Sequence, residues 1–168
     1  MDAETLRTQQ APIKAQYKDN PDVAVITLKA EGRIGENVSC SVQTGQALVE
    51  AGLHPATGGS GLQACSGDML LEALVACAGV TLNAVATALE LSLRSGVVRA
   101  EGDLDFKGTL GVDKEAPVGF RNVRLFFDLE GDMTEEQTAT LIKLTERYCV
   151  VYQTLRSSPP VDVVTQVA

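Results

Sequence analysis

The sequence predicts an α+β domain, in which strands and helices occupy separate runs of the chain. Three observations carry this. A β-rich stretch from Val23 to Ala30 returns through a second one, Asn37 to Thr44, as a hairpin. A run from about Asp68 to Leu93 is apolar on every face and reads as one buried helix. Thr134-Glu135-Glu136-Gln137 is a capping-box start for a second, amphipathic helix.

In chain order, residues 1–21 form a polar lead containing Pro12 and Pro21, and residues 22–168 are expected to be one domain. Glu31-Gly32-Arg33-Ile34-Gly35-Glu36 reads as the hairpin turn, with Arg33 at or near the bend. Residues 52–67 are a Gly-rich loop, and Ser66 is the expected N-cap of the central helix. After Gly96 the stretches 97–110 and 120–131 alternate polar and apolar residues and read as an antiparallel pair. Val123, Leu125, Phe127 and Leu129 share one of its faces. The second helix is expected to run to about Tyr148. Ser157-Ser158-Pro159-Pro160 stops the chain before a last short strand, 161–167.

A net charge of −8 argues against nucleic acid and anionic membrane surfaces as partners. The stretch 69–91 is long enough to span a bilayer, but Glu72, Asn83 and Glu90 interrupt it, so a buried core helix is expected instead. A core helix this apolar needs more cover than one 168-residue chain supplies, which predicts a homodimer with paired central helices. The polar N-terminus reads as no signal peptide, and four cysteines are too few for a disulfide scaffold. The expectation is a cytoplasmic protein with reduced thiols.

Cys77, in the apolar helix, and Cys149, at the end of the amphipathic one, are the candidate chemical groups. By default such cysteines are inert core residues, because burial favours the thiol and only the thiolate is a nucleophile. A guanidinium held beside Cys77 by a carboxylate would reverse that, and Arg33 with Asp68 could supply the two groups. The blander readings are a solvated turn charge for Arg33 and a first-turn helix acid for Asp68. Cys40 reads as structural and Cys65 as a loop thiol. His54 is the single histidine, and no Cys or His pair has zinc-ligand spacing, so no metal or cofactor is expected. The loop glycines lack the lysine of a phosphate-binding loop.

These residues carry a resemblance over about residues 23–165. Asp68-Met-Leu-Leu-Glu-Ala-Leu-Val-Ala-Cys77 resembles the central-helix pattern of the OsmC/Ohr family of thiol-dependent hydroperoxidases. Cys149 matches that family's second cysteine, and Gly32-Arg33-Ile34-Gly35 its early arginine turn. Two positions depart from the pattern: Val150 stands where many members have proline, and Asp68 where the acid is usually Glu, with Glu72 the alternative acid. The resemblance implies an intertwined homodimer and a two-cysteine organic hydroperoxide reductase. Cys77, Cys149, Arg33 and Asp68 would be catalytic, and a lipoyl-type dithiol would be the reductant. The alternative within the same fold is a non-enzymatic protein that binds a small ligand or senses redox state.

Overall fold

The computed structural model describes residues 3–35, 39–42, 52–62 and 64–166, with the side chains of 3–7, 9, 10, 27–35 and 39–42 outside the description. Its elements are α1 (Ala3–Asp19), β1 (Val25–Gly35), β2 (Ser39–Val42), α2 (Ser66–Ala88), β3 (Leu93–Asp105), α3 (Phe106–Thr109), β4 (Phe120–Gly131), α4 (Glu135–Tyr148) and α5 (Val150–Arg156). The four strands form one antiparallel sheet in the order β2-β1-β3-β4. The class is α+β, as expected from the segregated elements.

The sheet has two unlike faces because its strands alternate. Val98 and Ala100 of β3 are buried under α2, together with Leu71, Leu74, Val75 and Ala78 of that helix. The intervening residues carry charge on the other face. There Arg99 pairs with Asp128 at 2.7 Å, and Arg124 spans Asp103 at 2.6 Å and Glu101 at 3.2 Å. Further along α2, Leu82, Val85 and Ala86 pack with Leu141 of α4. By length and composition α2 could cross a bilayer. Here it is the core helix, but it is not covered all round: Met69, Leu70 and Val80 are exposed on the side away from the sheet.

Several local expectations are corrected. Residues 3–19 of the polar lead are helical, with Pro12 inside the helix, and α1 joins the body through Tyr17. That ring is buried with Ala24, Phe106 and Leu110, and its hydroxyl donates to the Ala56 carbonyl at 2.9 Å. The Gly-Arg-Ile-Gly segment is strand rather than turn. Cross-strand pairing on both sides, Arg33 with Val97 and with Ser41, overrides the turn signal of its glycines. Residues 36–38, which join the two strands in sequence, lie outside the described residues. Cys65, not Ser66, is the residue before the first turn of α2, without a side-chain cap bond. α2 stops at Ala88, and Glu90 takes a left-handed φ of 52° that turns the chain into β3. Residues 157–166 form no strand, and Val161, Val163 and Val164 lie exposed. A strand needs a ladder partner, and the described part of this chain offers that segment none.

The second helix begins as the sequence predicts. The Thr134 side chain accepts from the Gln137 N–H at 3.2 Å, and Gln137 returns the bond to the Thr134 N–H at 2.9 Å.

Candidate active site

Cys77 and Cys149 are brought together. Cys77 lies on α2 at the border between its buried and open faces, partly exposed. Cys149 is 0% exposed in the cluster of Leu71, Leu74, Val75 and Ala78, against which Cys77 packs. The local cause is a break between helices. Cys149 leaves the helical region at ψ 107°, its N–H still bonded to the Thr145 carbonyl, and so ends α4. The same residue starts α5, because its Sγ accepts the Tyr152 N–H at 3.4 Å. A sulfur here does what an Asn or Ser oxygen usually does at a helix start. Cys65, Cys77 and Cys149 are free thiols.

The electrostatics of the pair follow from its hydrogen bonds. Burial raises the Cys77 thiol. Hydrogen bonds from the Val151 N–H, the Cys149 thiol, the Thr81 hydroxyl and the Val150 N–H outweigh it, and the pKa falls below that of an ordinary thiol. All four donors favour the anion. Cys149 behaves in the opposite way. Burial pushes it up; the Tyr152 N–H opposes this, and the neighbouring Cys77 sulfur adds to the rise, leaving it at about 11. One thiol is therefore poised to ionise, while its neighbour keeps its proton and donates it.

The other expected residues lie elsewhere or outside the description. Arg33 stands in the register row of Val97, one residue out of phase with Val98, the β3 residue that packs on α2. Its side chain and that of Cys40 are outside the described residues. Asp68 is in the first turn of α2, nine residues before Cys77. Helix geometry separates the two by about 14 Å of rise and half a turn of rotation, so the structure does not bring them together. Burial raises the Asp68 carboxyl, and the charge of His54 opposes the rise. His54 itself is held in place: Nδ1 accepts the Ala56 N–H at 3.0 Å, and its ring stacks on Phe106 at 5.0 Å. Among the described residues no group of three or more His, Cys, Asp or Glu side chains is gathered as a metal site.

The sequence reading missed three donors to Cys77. Thr81 had a legible signal, since residues i and i+4 share a helix face. The N–H groups of Val150 and Val151 had none, because nothing in Val-Val-Tyr-Gln-Thr-Leu announces a helix start.

A family model described as OsmC-like protein matches residues 59–164, well over half of the chain. The chain belongs to the OsmC-like family. The matched region runs from the loop before α2 to beyond α5 and so contains both cysteines. No curated protein matches this OsmC-like sequence. Among solved structures, an OsmC-like protein from Mycoplasma pneumoniae is similar with a TM-score of 0.56 and 16% identity, over 80% of this chain and 86% of that one. An OsmC-like hydroperoxide resistance protein from Jannaschia sp. CCS1 is similar with a TM-score of 0.63 and 14% identity, over 86% of this chain and 95% of that one. At these identities the likeness is one of fold.

Proposed function

We propose that this protein is a thiol-dependent peroxidase that reduces organic hydroperoxides through a Cys77 sulfenic acid and a Cys77–Cys149 disulfide. The observation that carries the reading is the hydrogen-bonded pair itself, one thiol lowered and one raised, on a family fold shared with a hydroperoxide resistance protein. The Cys77 thiolate attacks one peroxide oxygen. An S–O bond forms, the O–O bond breaks with its electron pair on the leaving alkoxide, and the alkoxide takes up a proton to become the alcohol. Cys149 then attacks the sulfenic sulfur. The S–S bond forms, and water leaves with the thiol proton. An external dithiol of lipoyl type reduces the disulfide and becomes a disulfide itself.

The pair times its own steps. While Cys77 is anionic, it holds Cys149 protonated. Once Cys77 is a neutral sulfenic acid, that repulsion is gone and Cys149 ionises more readily, when a nucleophile is needed.

The same reading takes residues 22–168 as one domain of a cytoplasmic homodimer, whose partner helix covers the open face of α2 around Val80. It gives Arg33 the role of a cation that assists the thiolate. The strand register supports delivery of Arg33 from the partner subunit rather than from the same chain. Asp68 is the acid that would orient that guanidinium, and the half-turn between it and Cys77 supports the same arrangement.

The test is steady-state reduction of an organic hydroperoxide with dihydrolipoamide, with peptide mapping of the oxidised protein. Turnover that disappears in Cys77→Ser, and a Cys77–Cys149 link, are expected. Ligand binding without peroxide consumption would instead leave the non-enzymatic reading of the fold.

A further inference from the structure

We propose that the groove between α4 and α5 is the docking site for an acidic protein that carries the reducing dithiol; this rests on the peroxidase reading above. The groove has a volume of ≈ 560 Å³ and is lined by Lys143 and Arg147 of α4, Arg156 of α5, and Glu146, Tyr148 and Gln153. Its two walls are the helices that meet at Cys149, whose sulfur is buried on the inner side of the same elbow and does not itself line the groove. The elbow is braced, because the Gln153 side chain donates to the Glu146 carbonyl at 2.7 Å across the junction.

The arginines in this groove are unlike the other described arginines, although Lys14, Lys18 and Lys114 are, like Lys143, without an ion pair among the described residues. Arg94, Arg99, Arg121, Arg124 and Lys107 are each taken up by a carboxylate. Lys143, Arg147 and Arg156 have no ion pair among the described residues, and Glu146 is the single acid beside them. Arg147 instead lies over the Tyr148 ring at 5.7 Å, which leaves its guanidinium edge free to bond. Cations in a last helical turn offset the negative helix end, which accounts for Arg147 and Arg156 individually. It accounts neither for Lys143, a turn earlier, nor for the convergence of all three on one groove.

A chain of net charge −8 repels acidic partners at long range. At physiological ionic strength the screening length is about 8 Å, so a local cluster decides which face such a partner meets. A small neutral dithiol gains nothing from three cations. A protein that presents its dithiol beside carboxylates gains both orientation and encounter rate. In the reaction its two thiols supply two electrons. The Cys77–Cys149 bond breaks, one S–S bond forms in the partner, and two protons pass to the released sulfurs.

The experiment measures reduction of the preformed disulfide by two peptides, each bearing one dihydrolipoyl-lysine, flanked in one by Asp and Glu and in the other by Ser. At low ionic strength the acidic peptide is expected to react about tenfold faster. That advantage is expected to vanish at high salt and in the triple variant Lys143→Gln, Arg147→Gln, Arg156→Gln, while the neutral peptide reacts alike with both proteins. Equal rates for the two peptides, or an advantage that survives the triple variant, would overturn the docking site. So would a triple variant whose defect is in reducing carboxylate-bearing hydroperoxides but not their methyl esters, since the cations would then serve the substrate. If no disulfide forms, the peroxidase reading fails on its own. Docking is still decided by fluorescence anisotropy of a labelled acidic peptide without a dithiol: binding to the wild-type protein and not to the variant supports it, and no binding overturns it.

Discussion

Cys149 is buried in the cluster against which the more accessible Cys77 packs, and the two neighbouring thiols are shifted in opposite directions, Cys77 down and Cys149 up. The acidity of Cys77 thus depends on a residue that itself resists ionisation.

The first expected outcome is a split in alkylation. Cys77 should react with iodoacetamide with a pH midpoint below the ordinary thiol value, while Cys149 stays unreactive through neutral pH. Cys149→Ala removes a donor to the anion and should move the Cys77 midpoint upward; Cys149→Ser retains an O–H donor and should move it little. Mass-resolved alkylation across pH reads both, and an unchanged midpoint in Cys149→Ala would sink the argument.

Thr81 should matter through its hydroxyl alone. Thr81→Val keeps the shape and β-branching but removes the donor, and should raise the Cys77 pKa and slow peroxide reduction at neutral pH roughly fivefold, the equivalent of one hydrogen bond of about 1 kcal/mol. Thr81→Ser should restore most of the rate. If Thr81→Val and wild type share one pH–rate profile, the hydroxyl does not act on the sulfur.

Arg33 can be tested by subunit mixing. Arg33→Ala and Cys77→Ser should each be inactive as homodimers. If the arginine is delivered across the interface, mixed dimers should regain up to about half of the wild-type activity per dimer, since one of the two sites is whole. A species that remains monomeric by sedimentation at micromolar concentration, or mixtures as inactive as their parents, would exclude that arrangement.

Asp68 gives a pH signature in stability. Its folded carboxyl is raised, chiefly by burial, so folding disfavours the charged form. Stability is therefore lost as pH rises from the unfolded value near 3.8 through the raised folded one, and the deficit persists above it. Asp68→Asn should be at least as stable as wild type at neutral pH, and the difference should close in acid. That expectation is for the chain by itself; thermal melts that show Asp68→Asn clearly destabilised at neutral pH only would reveal a cation paired to the carboxylate, the outcome that a guanidinium delivered across the dimer interface would give.

Much of the fold was legible where a local signal agreed with long-range packing. The capping box at Thr134 fixes the start of α4 because both of its hydrogen bonds are made within four residues. The β3–β4 pair follows from alternation that the buried Val98 and Ala100 and the charged Arg99 and Glu101 obey. The failures fall where a distant partner decides. Gly32 to Gly35 carry turn residues yet lie in the ladder between β2 and β3. Val161 to Val164 carry strand residues yet have nothing to pair with in the described chain. α5 was illegible because sulfur is an unusual helix cap and Val150 and Val151 are β-branched. For the site, the two cysteines could be picked from their apolar settings, but the donors around Cys77 depended on where α5 begins.

The position of Cys149 between two helices has one more consequence. Its sulfur is both the chemical group and the acceptor that secures the first turn of α5. If turnover draws that sulfur toward Cys77, the Tyr152 amide loses part of its anchor in every cycle. The redox state of the pair would then be written in the backbone, legible as the rate at which one amide proton exchanges with water.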